Sequence, residues 1–301
     1  MATPLRCSVI IATLDRVDSL RLVLQCLARQ TQLPDEAVIS AAGHSAPVQE
    51  LVDRLALPFP ARVLASHEKS AARQRNLAAA AVTGEVLAFL DDDIEFGPDL
   101  FAGVLAEFAV PDAGPLGAAS PRISNTDRQP PGRLTRLYYR IQAGYSHADF
   151  GGRLFGPGIN CFPIFPAEGP RRVAVDWLPS TCLFIRADLF RRHHFPSFTG
   201  YSYAEDVHLT ARVARDAPLF FLRTPSVVHH SLPSEFKADR AALTAGKLHN
   251  MAVVAREVQG LAGWSLWWRW QLHRLFMLAV LTARRPAGWR EEFAGVLAAQ
   301  P

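Results

Sequence analysis

Three consecutive carboxylates, Asp91, Asp92 and Asp93, follow the apolar run Ala88, Phe89, Leu90 and stand just before Ile94 and a turn at Gly97 and Pro98. The run has the character of a buried strand, and in open α/β sheets ligands bind at the carboxyl ends of strands. Adjacent carboxylates repel one another unless a cation or donors neutralise them, and hard oxygen ligands favour Mg²⁺ or Mn²⁺. A divalent ion held by one or two of the three, together with phosphate oxygens of a ligand, resolves the conflict. A solvated acidic turn accounts for a bare triplet equally well; its place at the end of a strand favours a site. One helix earlier, KSAARQRN at 69–76 puts small residues, two Arg and an Asn at a helix start. Donors and the positive helix terminus can there meet a diphosphate or a nucleoside, although an exposed basic helix fits the same residues.

The elements that must carry these groups are legible as a period. β-Branched runs at 8–12, 37–40, 62–65 and 86–90 alternate with amphipathic segments at 19–29, 48–55 and 71–82, the signature of an α/β fold with a mostly parallel sheet. Asp18 or Ser19 can cap the first helix, Gly84 can end the third, and Pro98 with Asp99 opens another at 100–108. From 121 to 179 repeated Pro and Gly predict a loop-rich insertion. Regularity resumes with a strand at 182–186, helices at 187–193 and 204–215, and strands at 219–222 and 227–229; 234–299 reads as helical.

Composition narrows the class. With 301 residues, 49% hydrophobic and 20% charged, the chain is neither disordered nor fibrous. Its four Cys include no C-x-x-C pair, so a zinc cluster or a disulfide scaffold is not expected and a reducing compartment is. The net charge is +4, and Lys occurs only at 69, 237 and 247, the other basic residues being Arg. Arg forks suit phosphate and carboxylate; the mild imbalance fits an anionic ligand or a membrane surface, with no nucleic acid expected. The first apolar run is too short for a signal-peptide core, so a cytoplasmic location is expected. The most apolar late run, 275–283, would span about 14 Å as a helix against about 30 Å of hydrocarbon.

In this order the blocks resemble the family 2 glycosyltransferases. They are SVIIAT at 8–13 with Asp15 and Arg16, ARQRN at 72–76, TGEVLAFLDDD at 83–93, WLPSTC at 177–182, GYSYAEDVHLTAR at 200–212 and PSVVHH at 225–230. The resemblance implies a GT-A fold: a Rossmann-like, mostly parallel sheet flanked by helices. The catalytic domain would occupy 1–232, with a nucleotide-sugar half to about 120 and an acceptor half at about 121–232. A helical C-terminal extension would occupy 233–301. It implies inverting transfer from a nucleotide-diphosphate sugar with Mn²⁺ or Mg²⁺. Thr13 and Asp15 would border the nucleoside, Arg75 and Asn76 would lie close to the nucleotide, and Asp91 and Asp92 would sit at the ribose or donor sugar. Asp93 would be the principal metal ligand, with Asp91 beside it and His230 or His229 completing the shell. Alternate strand residues face opposite ways, so at most one of these histidines faces the site. Asp206 would be the general base that takes the acceptor's proton, and Glu205 would help bind the acceptor; the pair also simply favours a helix N-terminus.

The sequence departs from the family at two places. The second strand ends VISAAG at 38–43, without the usual carboxylate for the base, which leaves Ser40 or backbone groups and keeps UDP, dTDP and GDP sugars open. WLPSTC also differs from the common Ser-Gly at that position. Acceptor selection is expected in the insertion, from Tyr138, Tyr139, Tyr145, His147, Phe150, Phe155 and Phe162 with Arg133, Arg136, Arg140 and Arg153. Trp and Arg in the tail suggest membrane-surface contact through 264–285 and a glycan or lipid-linked glycan acceptor, hence a peripheral position at the inner face of a membrane. A helix buried against the catalytic domain or in a homo-oligomer fits that stretch too. Rival readings are a nucleotidyltransferase or a dinucleotide dehydrogenase, both disfavoured because no glycine-rich loop follows the first strand, and a silent glycan-binding or scaffold protein.

Overall fold

Strand and helix alternate through the first hundred residues of the computed structural model, which describes residues 5–109, 115–126, 129–165, 169–198, 203–232 and 238–301. The order is β1 (Cys7–Leu14), α1 (Val17–Ala28), β2 (Glu36–Ala42), α2 (Ser45–Leu55), β3 (Ala61–Ser66), α3 (Ala71–Ala79), β4 (Val86–Asp91), β5 (Ile94–Phe96), α4 (Leu100–Phe108) and β6 (Ala118–Ile123). There follow α5 (Arg133–Ala143), β7 (Leu154–Phe155), β8 (Ile159–Asn160), β9 (Arg172–Ala174), β10 (Cys182–Arg186), α6 (Ala187–His193), α7 (Glu205–Val213) and β11 (Leu219–His229). The chain closes with α8 (Arg240–Glu257), α9 (Gly263–Arg284) and α10 (Trp289–Ala298).

By contact density the chain forms two units. The first comprises Met1–Asp127, Phe165–Pro196 and Leu209–Leu232; the second comprises Arg128–Ile164, Ser197–His208 and Pro233–Pro301. The insertion and the C-terminal tail thus belong to one unit, and α7 begins in the second and ends in the first.

The first unit is built on a nine-stranded sheet in the order β3-β2-β1-β4-β10-β6-β11-β5, with β9 on β11. β1 runs parallel to β2 and β4, β2 to β3, and β6 to β11, whereas β10 is antiparallel to both of its neighbours. Cys7 to Ile11 on β1 and Val86 to Leu90 on β4 are buried on both faces, as continuous apolar runs in a helix-covered sheet must be. Ile10, Val38, Phe89 and Leu183 anchor the core, where Phe89 meets Phe190 and Phe195 with ring centroids 4.8 and 5.2 Å apart.

In the second unit α5, α8, α9, α10 and the β7–β8 hairpin enclose Tyr138, Phe150, Phe155, Met251, Trp270 and Val296. Tyr138 stacks on Phe276 with centroids 3.9 Å apart. A Cβ at Gly158 (φ +78°) would lie 2.3 Å from the Met251 carbonyl oxygen, so only glycine admits this contact.

Three expectations are corrected. The stretch called loop-rich holds α5; β5 forms directly after the acidic triplet; and the two strands at 219–222 and 227–229 are one, β11, whose pairing with β6 shifts register between Leu222 and Ser226. Residues 199–202, which open the GYSYAEDVHLTAR block, lie outside the described residues, as do Pro166 and the start of the expected helical tail at 234. Among the described residues no helix is long and apolar enough to cross a membrane.

Candidate active site

The acidic triplet straddles a strand end. Asp91 is the last residue of β4, and Asp92 and Asp93 make the turn into β5. β5 then pairs antiparallel with the end of β11, setting His229 opposite Ile94 and Val228 opposite Glu95, and the His230 N–H donates to the Asp93 carbonyl at 2.9 Å. Because side chains alternate along a strand, one histidine faces the triplet and its neighbour does not. His229 Nε2 lies 3.1 Å from Asp93 Oδ1 and 3.9 Å from Asp91 Oδ2. His230 instead points its Nε2 at Glu95, 3.5 Å away. Of the two histidines that the sequence left open, His229 is the one that faces the acidic triplet.

Ligand atoms of Asp91, Asp93 and His229 all lie within 4.8 Å of one another. Two carboxylates and one imidazole form a hard, anionic donor set that fits a divalent cation of the Mn²⁺ or Mg²⁺ kind. Asp91 is also held by Arg75, whose Nη2 is 2.6 Å from Asp91 Oδ1.

Asp92 plays a different part. Its carboxylate accepts from Thr13 Oγ1 at 2.7 Å and from Arg16 Nη1 at 3.1 Å, tying β1 and the loop after it to the acidic turn. Burial raises the Asp92 carboxyl to about 6, although Thr13 and Arg16 pull the other way. Asp93 is also pushed up by burial, but His229 and the Leu232 N–H, which donates to it at 2.9 Å, outweigh that and leave its carboxyl below the ordinary carboxylate range.

Helix α3 is aimed at this turn by its start. Ser70 caps it by accepting from the Arg73 N–H, and successive residues then do separate work. Gln74 Nε2 donates to the Thr13 carbonyl at 2.9 Å and the Ser40 carbonyl at 2.7 Å, locking the ends of β1 and β2 together. Arg75 holds Asp91, with its guanidinium over the Phe195 ring. Asn76 donates to the Phe195 carbonyl at 2.9 Å and accepts from the Phe195 N–H at 3.1 Å. The amide expected near a nucleotide is thus committed to the backbone that positions Phe195.

Beside the open ends of β1 and β2, Asp15 sits at φ +52° and accepts from the His44 N–H at 2.9 Å. That N–H, followed by the His44 ring, lowers its carboxyl. Ser40 is fully buried, so its side chain offers no surface to a ligand; backbone groups and Asp15 are what this rim presents. Thr13, Asp15, Arg75, Asp91, Asp92, Asp93 and His229 therefore gather at the β1/β4 end of one sheet. Arg16, Gln74 and Phe195 had no assigned role on the sequence; Arg16 and Gln74 were signalled only by standing beside residues that had one.

Glu205 and Asp206 open α7 in the second unit, Glu205 buried and Asp206 partly exposed. Asp206 Oδ1 accepts from the Val207 N–H at 2.8 Å at the start of the helix. Two residues on, His208 Nε2 reaches Glu257 on α8 at 2.8 Å. The same unit contains a cavity of about 500 Å³ whose lining includes Tyr138, Tyr139, Tyr203, Lys247, Met251 and Phe276. Phe150 and Phe155, expected among acceptor-selecting residues, are instead buried core with ring centroids 5.1 Å apart.

Residues 8–162 match the family model described as glycosyl transferase family 2. No curated protein sequence matches the chain. Among solved structures the chain resembles a mannosyltransferase from Pyrobaculum calidifontis in complex with GDP-Man and Mn²⁺, at 15% identity over 99% of this chain and 86% of that one, TM-score 0.59. It also resembles S. aureus TarS 1–349 in complex with UDP-GlcNAc, at 15% identity over 94% and 75% of the two chains, TM-score 0.56. A third likeness is to glucosyl-3-phosphoglycerate synthase from Mycobacterium tuberculosis in complex with phosphoglyceric acid, at 13% identity over 86% and 82%, TM-score 0.53. At these identities the likeness establishes the fold, a mostly parallel sheet flanked by helices as expected.

Proposed function

The chain belongs to glycosyl transferase family 2, and on that premise we propose that this glycosyltransferase moves a sugar from a nucleotide diphosphate to an acceptor hydroxyl, with inversion at the anomeric carbon. The acceptor oxygen forms its bond to that carbon as the bond to the diphosphate oxygen breaks, and Asp206 takes the hydroxyl proton. A partly exposed carboxylate at a helix start suits a base that must be ionised before reaction.

The observation that carries the reading is the cluster of Asp91, Asp93 and His229 at the end of β4. These residues would hold Mn²⁺ or Mg²⁺, the imidazole favouring Mn²⁺. When bound, such a cation offsets charge on the departing diphosphate. Arg75 and Arg16 fix the carboxylates around it, while Asp15 and the backbone of Gly43 and His44 border the nucleoside. The solved structures named above include complexes with GDP-Man and with UDP-GlcNAc, which supports a nucleotide-sugar donor and leaves its base to experiment. For the acceptor we assign a glycan or a lipid-linked glycan, met by the tyrosine-lined cavity of the second unit, with Glu205 helping to bind it. A cytoplasmic enzyme at the inner face of a membrane would meet both substrates.

Two substitutions separate the roles. Asp93→Ala is expected to weaken Mn²⁺-dependent nucleotide binding measured by calorimetry. Asp206→Asn is expected to keep that binding and lose about 10²–10⁴-fold in transfer. Full transfer by Asp206→Asn removes the base assignment, and absence of nucleotide binding with any metal favours a silent scaffold.

A further inference from the structure

Helix α5 was hidden in the proline-rich insertion, and its outer side is unexpectedly apolar. Leu134, Leu137 and Ile141 recur at helical spacing and are 81%, 54% and 50% exposed. The other side of the helix turns inward. The Tyr138 hydroxyl and His273 Nδ1 share a hydrogen bond at 2.6 Å, and Gln142 donates to the Arg269 carbonyl at 2.8 Å. These contacts fasten α5 alongside α9.

Helix α9 repeats the division. Leu266, Trp270 and Leu281 are buried, whereas Trp264 and Leu275 are 72% and 63% exposed. Trp264 stacks on Trp267 at 4.7 Å, so two indoles stand together at the start of the helix. Packing against the rest of the unit therefore accounts for one side of α9 and leaves the other uncovered.

Charge decides what covers it. α5 carries Arg133, Arg136 and Arg140, α9 carries Arg269, Arg274 and Arg284, and neither helix contains Asp or Glu. Arg133, Arg140 and Arg284 are exposed. Apolar side chains on two helices whose own charges are all positive are complementary to an anionic lipid surface, where indoles settle at the headgroup level and Arg meets phosphate. A second copy of the same patch would bring together two surfaces of the same positive charge.

We propose that α5 and α9 together form a surface that lies on an anionic phospholipid leaflet, with Leu134, Leu137, Ile141 and the Trp264–Trp267 pair entering the interface and the exposed Arg side chains meeting lipid phosphates. The inference rests on the membrane placement proposed above and names the surface that makes it, while its test is independent of the transfer reaction. It adds the apolar side of α5, a segment that the sequence had pointed to for acceptor selection alone, to the tail stretch that the Trp and Arg content had suggested.

The test uses the full chain and vesicles of phosphatidylcholine with and without phosphatidylglycerol. The protein is expected to float only with phosphatidylglycerol present, to be released by high salt, and to show tryptophan emission quenched by brominated acyl chains. Leu134→Gln, Leu137→Gln and Ile141→Gln combined should weaken binding by about tenfold or more, and each of Arg133→Gln and Arg140→Gln by about fivefold. All five positions are exposed, and circular dichroism and the melting temperature verify that the fold is kept. Failure of the wild-type chain to float overturns the proposal. So does unchanged flotation of the folded triple-Gln protein, or a concentration-dependent dimer that the same substitutions abolish.

Discussion

His229 Nε2 stands 3.1 Å from Asp93 Oδ1 although the two residues lie far apart in the sequence, and the adjacent His230 turns to Glu95 instead. The contact follows from backbone pairing: β5 begins one residue after Asp93, and its first residue, Ile94, sits opposite His229. The acidic turn and the imidazole are thus delivered by neighbouring strands of one sheet.

Substituting the two histidines should therefore separate them. His229→Gln is expected to weaken Mn²⁺ binding by about tenfold or more, whereas His230→Gln leaves it unchanged. Titration of Mn²⁺ followed by electron paramagnetic resonance measures both.

Arg75 and Asn76 should separate in the same manner. Arg75→Ala removes the guanidinium 2.6 Å from Asp91, leaves a part-buried carboxylate without that partner, and should cost about 1–3 kcal/mol in stability together with nucleotide affinity. Asn76→Ala cuts both hydrogen bonds to Phe195 and should cost about 1–3 kcal/mol in stability with nucleotide affinity retained. Chemical denaturation paired with calorimetry reads the two effects apart.

Gly43 is expected to tolerate no side chain. It lies at φ +77°, and a Cβ there would fall 2.5 Å from the Asp15 carboxylate. Gly43→Ala should cost about 1–3 kcal/mol, disturb the His44 contact to Asp15, and raise the nucleotide dissociation constant. A thermal melt and a nucleotide titration check it.

Acid should loosen the second unit through His273. Burial lowers its imidazole to about 4, below its unfolded value of about 6.5, so the folded chain holds it neutral, hydrogen-bonded to Tyr138. The stabilisation is complete above about pH 6.5 and is lost as the pH falls toward 4. By linkage it is worth about 3 kcal/mol across that window. His273→Gln should flatten the corresponding part of a stability-versus-pH curve; an unchanged slope removes His273 as its source.

Much of this arrangement could be read from the chain alone, because short-range pattern encodes short-range structure. The apolar runs at 8–12 and 86–90 and the amphipathic stretch at 19–29 located β1, β4 and α1 closely, and β10 at Cys182–Arg186 coincides with its expected span. Helix α5 escaped because Pro130, Pro131 and Gly144 read as punctuation, although Tyr138 and Gln142 on one side and Leu134, Leu137 and Ile141 on the other already carried a helical period. Pairings distant in sequence left no local trace. Nothing in Cys182–Arg186 indicates that β10 runs antiparallel between β4 and β6, and nothing in the His229-His230 pair indicates which ring faces Asp93, since that depends on its register with β5. Asn76 looked like a ligand contact because amides do serve ligands; only the folded chain reveals that the backbone of Phe195 already occupies it.

A strand register, rather than any side-chain adjustment, decides the composition of the cation cradle. Slipping β11 so that Val228 stands opposite Ile94 would exchange the imidazole for an isopropyl group, so a single-residue insertion between Ser226 and His229 that shifts the register this way should weaken metal affinity as much as His229→Gln does. The irregular stretch from Leu222 to Ser226 sits just upstream of that boundary, where it can absorb length changes arriving from the rest of β11 before they reach the ligand. Variation among descendants of this chain should accordingly be tolerated up to that kink and stop sharply beyond it.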